Sequence, residues 1–231
     1  MIKACLFDLD GTLLDTLKSL RYYVNQHISK KGIREISEAE TKIFVGRGAK
    51  NLISSVLESR GYDLSNEKNS LLRDCILRDF LEEYNREPLY LTEPYDGICD
   101  VIKELHKSEI KLAVISNKPD PTTKQLIKKF FPGKFLIIEG ASERFALKPD
   151  KVWPLDICKR LCVSPGEVMY VGDTSTDMKT AKNFGAALSV GVLWGFRDKK
   201  ELMESGADVT ISHPKELLKL VIEKNKMQGE K

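Results

Sequence analysis

Two acids one residue apart, Asp8 and Asp10, stand where the apolar run Ala4-Cys5-Leu6-Phe7 gives way to Gly11. A short apolar run closed by a turn residue reads as a buried strand, so the pattern predicts a strand end exposing two carboxylates at a tight turn. At about 4 Å and an effective dielectric of roughly 20, two such charges repel by about 4 kcal/mol. A proton, a cation, or rotation of one acid away from the other must offset that. Further along, Ser116 and Asn117 follow another apolar run, Lys148 precedes Pro149, and Gly172-Asp173 close a third run with Asp177 one helical turn on. Each alone has a plain reading: Ser116 as a helix N-cap, Lys148 as surface charge, Asp173 and Asp177 as caps. Together they offer carboxylates, a hydroxyl, an amide and one ammonium. That donor set suits a hard divalent cation holding a phosphate, and Mg²⁺ takes such oxygen ligands. An EF-hand calcium loop is excluded, because Gly11 comes two places early and the acids follow a strand.

The elements that must position these residues fall into two textures. From Leu14 to about Thr92 the patterning is helical. Ser37 to Glu40 reads as a capping box, Phe44 to Gly48 as a break, Ala49 to Arg60 as a helix, and Glu67 to Tyr84 as a longer one with Leu71, Leu72, Cys75, Ile76 and Leu81 as its apolar stripe. From Glu93 strands and helices alternate. Strands are expected at Lys111–Ile115, Phe135–Ile138, Val168–Val171, Ala187–Val190 and Val209–Ile211. Asp120-Pro121 is expected to cap the helix after the first of these, and the tail from Glu223 to fray. Such alternation implies right-handed crossovers and a parallel sheet covered on both faces. Ligands of such sheets bind beyond the carboxyl ends of the strands, which is where the candidate residues fall.

With 231 residues, 42% hydrophobic and 31% charged, the chain has the composition of a soluble globular protein. Its net charge of +3 is interleaved, which gives no reason to expect nucleic acid or a membrane as partner. No apolar run approaches a membrane span, and no signal peptide is visible. The five cysteines form no CxxC pair, and Cys158 and Cys162 read as a pair one turn apart on an apolar face. A reduced, cytoplasmic protein without structural zinc is expected.

The motifs resemble those of the haloacid dehalogenase superfamily. Asp8-Leu9-Asp10-Gly11-Thr12 matches its first motif, the strand ending at Ser116-Asn117-Lys118 its second, Lys148-Pro149 its third, and Gly172-Asp173-Thr174-Ser175-Thr176-Asp177 its fourth. Within the superfamily the chain is similar to phosphoglycolate-phosphatase-like members through Val45-Gly46-Arg47-Gly48-Ala49, Tyr170 to Thr180, Gly191 to Phe196, and Gly206-Ala207-Asp208. The resemblance implies an α/β fold, with a Rossmann-like parallel sheet core over residues 1–13 and 93–231 and an inserted all-α helical cap over 14–92. It implies a Mg²⁺-dependent phosphomonoester hydrolase with an aspartyl-phosphate intermediate, acting on a small phosphorylated metabolite. By the same resemblance Asp8 is the nucleophile and Asp10 the general acid and base. Mg²⁺ is held by Asp8, the Asp10 carbonyl and Asp173 with help from Asp177. Ser116, Lys148 and the backbone around Asn117 hold the phosphoryl group. Arg47, between two glycines, is the candidate for an anionic group on the substrate. A beta-phosphoglucomutase-like mutase or a pyrophosphatase would share these motifs. A dehalogenase or phosphonate hydrolase is disfavoured because neither needs Asp10. A non-catalytic relative would be expected to have lost an acid or the lysine. A monomer and a homodimer are equally compatible with the sequence.

Overall fold

The computed structural model describes residues 1–229. In chain order, β1 (Ala4–Phe7) and β2 (Leu14–Asp15) lead into four helices: α1 (Leu17–Ser29), α2 (Glu38–Phe44), α3 (Ala49–Ser59) and α4 (Glu67–Arg86). Then follow β3 (Glu93–Pro94), α5 (Ile98–Lys107), β4 (Lys111–Pro119), α6 (Asp120–Phe130), β5 (Ile137–Ala141) and α7 (Val152–Arg160). A 3₁₀ turn (Pro165–Glu167) precedes β6 (Val168–Gly172), α8 (Ser175–Phe184), β7 (Leu188–Val192), α9 (Lys199–Glu204), β8 (Val209–Ile211) and α10 (Glu216–Gly229). The chain divides into two compact units: Met1–Asp15 with Pro94–Lys231, and Thr16–Glu93.

The first unit is built on a six-stranded sheet of order β5-β4-β1-β6-β7-β8, with its pairings parallel. Alternation along β1 sorts its residues to two cores. Cys5 and Phe7 pack with Ile98, Val101 and Ile102 of α5, Leu126 and Ile127 of α6, and Leu217 and Val221 of α10. Ala4 and Leu6 pack with Trp153 and Ile157 of α7 and with Ala181 and Phe184 of α8. Both faces of the sheet are therefore covered, as an all-parallel sheet requires. Phe7 stands level with Val114 on one side and Val171 on the other, so β1, β4 and β6 finish at one edge.

Several expectations shift in register. β4 runs on to Pro119 across an irregularity between Ser116 and Pro119. β5 begins at Ile137 rather than Phe135, because the Phe135 ring is used edge-on against Phe7 and Phe131 at 6.1 and 5.8 Å. Asp120 is the first residue of α6 and not its cap. Its Oδ1 accepts the Gly140 N–H at 3.0 Å and its Oδ2 pairs with Lys124 at 2.7 Å. α10 runs from Glu216 to Gly229, and within it the Asn225 amide brackets Ile2, accepting its N–H at 2.5 Å and donating to its carbonyl at 3.3 Å. Cys158 and Cys162 do not share an apolar face: Cys158 is buried, while Cys162 lies past the end of α7 with φ 53° and is exposed.

The second unit is all helical. Ser37 and Glu40 form the capping box of α2, and Gly46 and Gly48, at φ 109° and 87°, make the break before α3. The buried stripe of α4 is Ile76, Phe80 and Tyr84; Leu71, expected inside, is 63% exposed. Rings of Phe80 and Tyr84 stack at 5.4 Å, and Tyr23 of α1 meets Tyr84 edge-on at 5.3 Å. The turn after α1 is held by one buried amide: Asn25 accepts the Ile36 N–H at 2.9 Å and donates to its carbonyl at 3.0 Å. Asn25→Ala would leave both groups unpaired in the interior, a loss of about 2–4 kcal/mol. Urea unfolding followed by circular dichroism checks this; a midpoint unchanged from wild type would show that the turn does not depend on the amide.

Candidate active site

Asp8 is the residue after β1, and its N–H donates to the Val171 carbonyl at 2.9 Å, so the strand ladder itself sets the nucleophile candidate's backbone. Its carboxylate is buried, not displayed to solvent as the sequence pattern suggests. Lys148 lies 2.8 Å from Asp8 Oδ1 and 2.8 Å from Asp177 Oδ1, so one buried ammonium spans two acids. Asp10 turns elsewhere. Its two oxygens accept from the Lys118 ammonium at 2.9 and 3.1 Å, and the Lys118 side chain is itself 2% exposed. The repulsion foreseen between Asp8 and Asp10 is thus answered by pairing the two acids with different lysines.

Asp173, the residue after β6, is fully buried. Its Oδ1 accepts from the Thr12 hydroxyl at 3.0 Å and its Oδ2 from the Phe196 N–H at 2.8 Å. Asp177 completes the capping box of α8, whose N-cap is Thr174, as well as facing Lys148: its Oδ2 accepts from the Thr174 N–H at 3.1 Å and hydroxyl at 2.6 Å, and its Oδ1 from the Tyr170 hydroxyl at 3.3 Å. The backbone comes unusually close here. A Cβ on Gly11 would lie 2.2 Å from Asp173 Oδ2, and one on Gly172 2.3 Å from the Asp177 Cβ. Asn117 uses its side chain to clamp the loop that carries Lys148, accepting the Lys148 N–H at 2.9 Å and donating to its carbonyl at 3.3 Å. The Ser116 hydroxyl is buried and accepts the Lys118 N–H at 3.2 Å.

The α/β unit therefore gathers Asp8, Asp10, Ser116, Asn117, Lys148, Asp173 and Asp177 at the carboxyl ends of β1, β4 and β6. Arg47 belongs to the helical unit, where it is exposed in the loop before α3. The haloacid dehalogenase-like hydrolase family model matches residues 5–190, a span that contains all of them. The chain belongs to that family.

Among its relatives, the phosphoglycolate phosphatase of Vibrio parahaemolyticus is 28% identical over 95% of this chain and 96% of its own length. The N-acetylmuramic acid 6-phosphate phosphatase of Pseudomonas aeruginosa is 26% identical over 94% of this chain and 93% of its own. A crystal structure from Lactobacillus delbrueckii subsp. bulgaricus, of a protein predicted to be a phosphoglycolate phosphatase, superposes with a TM-score of 0.83. It is 29% identical and covers 93% of this chain and 96% of its own. Among the described residues of this hydrolase, no helix is long and apolar enough to cross a membrane.

Sequence reasoning gave no role to Lys118, Thr12, Tyr170, Thr174 or Phe196. Lys118 had a signal, since it closes the second motif beside Ser116 and Asn117. Phe196 lies in the stretch Gly191 to Phe196 noted above, but its contribution is a backbone N–H, which no side-chain pattern marks.

Oxygens of Asp8, Asp173 and Asp177 lie within 4.8 Å of one another. Asp8 and Asp177 share the Lys148 ammonium while Asp173 is held by the neutral donors of Thr12 and Phe196, so among these described groups carboxylate charge exceeds ammonium charge in a buried place. Burial, then repulsion from Asp177, pushes the Asp8 carboxyl up to about 7, against the opposing pull of Lys148. Burial, with Asp177 and Asp8 beside it, raises Asp173 well above the carboxylate range. A hydrolase left with only its own groups would fill the charge deficit with protons. One divalent cation fills it equally well, and an all-oxygen, carboxylate-rich set is chemically suited to a hard one.

A carboxyl whose folded pKa is raised contributes stability below its unfolded pKa that is lost as pH rises through the folded value. Cation-free protein is accordingly expected to lose stability between about pH 4 and pH 7. Added divalent cation should then raise the melting temperature more at pH 8 than at pH 5. Thermal melts with chelator and with Mg²⁺ at the two pH values measure this; an equal rise at both would contradict the charge deficit.

Proposed function

We propose that the protein hydrolyses a small phosphomonoester by passing the phosphoryl group through Asp8, with Mg²⁺ as the cation held by Asp8, the Asp10 carbonyl and Asp173. The enzyme is a phosphatase of the haloacid dehalogenase type. The observation that carries the reading is the buried Asp8 carboxylate, 2.8 Å from Lys148 and convergent with Asp173 and Asp177. When bound, the cation would offset the repulsion between an anionic nucleophile and an anionic ester.

A carboxylate oxygen of Asp8 attacks phosphorus, forming the acyl phosphate bond as the ester P–O bond breaks. The leaving alkoxide takes a proton from Asp10. For that delivery the Asp10 side chain must turn away from Lys118, which occupies both its oxygens in this structure. In the second half Asp10 accepts a proton from the water that attacks the phosphoaspartate, inorganic phosphate leaves, and Asp8 is regenerated. Lys148 neutralises charge on Asp8 throughout, and Ser116 with the backbone near Asn117 donates to phosphoryl oxygens. Positioning and charge neutralisation are the main sources of rate in phosphoryl transfer.

Two relatives at comparable identity are named for phosphoglycolate and for N-acetylmuramic acid 6-phosphate, both phosphate esters of organic acids. That supports an acid-bearing phosphomonoester as the substrate class, with Arg47 of the helical unit as the group that reads the second anion. A cytoplasmic setting accords with five cysteines that are all free.

The test is a screen of phosphorylated metabolites for Mg²⁺-dependent release of inorganic phosphate. Asp8→Asn is expected to lower kcat at least about 10³-fold and to abolish labelling of the protein by phosphate in acid-quenched turnover. Conversion of a sugar phosphate to its isomer without phosphate release would indicate a mutase instead. Arg47→Ala is expected to raise KM for an acid-bearing ester about tenfold with little change in kcat. An unchanged KM would remove Arg47 from the substrate site.

A further inference from the structure

We propose that the segment Trp194-Gly195-Phe196, which follows β7, is a positioning element that sets the affinity of the divalent cation. The inference rests on the cation reading given above. Three hydrogen bonds close a ring between elements far apart in sequence. The Phe196 N–H donates to Asp173 Oδ2 at 2.8 Å, the Thr12 hydroxyl donates to Asp173 Oδ1 at 3.0 Å, and the Trp194 indole N–H donates to the Thr12 carbonyl at 3.1 Å. Both oxygens of Asp173 are thereby oriented by this ring, one from the segment itself and one from the turn that the segment holds.

Gly195 makes the close approach possible. A Cβ there would lie 2.3 Å from the Asp173 Cβ, 2.4 Å from the Gly11 carbonyl oxygen and 2.5 Å from Asp173 Oδ2. Its φ is not in the left-handed region, so the missing side chain is demanded by space and not by conformation. Gly11 also approaches Asp173 closely, with φ +84° and a Cβ position 2.2 Å from Oδ2. Asp173 is thus packed closely against two glycine backbones. Packing alone does not account for Trp194. Its ring is only partly buried, lying 6.5 Å from that of Tyr95, yet its one polar atom is aimed at the turn carrying Asp10.

A ligand held in one orientation before the cation arrives spares the reorganisation that a loose carboxylate would undergo, and groups behind a metal's ligands commonly change affinity 10–100-fold. The segment acts on the chemistry through Asp173 and Thr12 and touches no reacting atom, so its signature is cation affinity, with substrate binding to cation-loaded enzyme unaffected.

Titration of cation-depleted protein with Mn²⁺, followed by calorimetry, tests this. Thr12→Val should weaken Mn²⁺ roughly 10–100-fold, and Thr12→Ser, which keeps the hydroxyl, should restore it. Trp194→Phe, which removes only the indole donor, should weaken it about three- to tenfold. Substrate KM at saturating Mg²⁺ should be unchanged in Trp194→Phe. Gly195→Ala should weaken Mn²⁺ most; if it does not fold, Trp194→Phe and Thr12→Val still decide. Folded Trp194→Phe and Thr12→Val proteins that bind Mn²⁺ like wild type would overturn the inference. Wild-type protein that takes up no Mn²⁺ would overturn the cation reading itself.

Discussion

One lysine ammonium among three buried carboxylates governs this site. Lys148 sits 2.8 Å from both Asp8 and Asp177, the acid oxygens of Asp8, Asp173 and Asp177 lie within 4.8 Å of one another, and all four residues are buried. Burying charge is tolerable only where it is paired, and here the pairing is incomplete by design of the donor set. The shortage of positive charge is what makes the place receptive to a cation. The Lys148 ammonium holds Asp8 and Asp177 together, while Thr12 and Phe196 hold Asp173 beside them.

The scaffold serves that electrostatic arrangement. A parallel sheet directs all its strands' carboxyl ends to one edge, and the register that sets Phe7 level with Val114 and Val171 brings Asp8, Ser116 and Asp173 out side by side. Side chains that do no chemistry then fix those that do. Asn117 clamps the Lys148 backbone, Thr174 and Tyr170 saturate Asp177, and Lys118 holds Asp10 apart from its neighbour. Each is a hydrogen bond to a charged or buried group, where geometry is worth more than at the surface. Glycines at positions 11, 172 and 195 let backbone pass where a methyl group would collide with a carboxylate.

Asp177 illustrates how one side chain can carry two loads. Its Oδ2 completes the capping box at the start of α8, satisfying donors that any helix leaves open, while its Oδ1 faces Lys148. The stability of that helix start and the charge balance of the site are consequently not separable by substitution at this residue. Asp173, by contrast, spends its oxygens on Thr12 and Phe196 and takes no part in a helix cap.

The amino-acid order by itself determined the architecture and which candidate residues would meet at one edge of the sheet. Hydrophobic period fixes which segments are strands and which are helices, and the rule for parallel sheets then assigns Asp8, Asp10, Ser116, Lys148, Asp173 and Asp177 to one edge. What it left undecided was partnership. Whether Asp10 faces Asp8 or Lys118, and whether Asn117 offers its amide to a ligand or to the Lys148 loop, depend on side-chain directions across strands that are more than a hundred and about thirty residues apart respectively. Leu71 looks as apolar as Ile76, yet only the packing of α4 decides which of them turns inward. The clearest case is Phe196, which supports Asp173 through its backbone N–H. Every residue but proline carries that group, so no sequence pattern could mark it, and only the tertiary fold brings it within 2.8 Å of a buried acid.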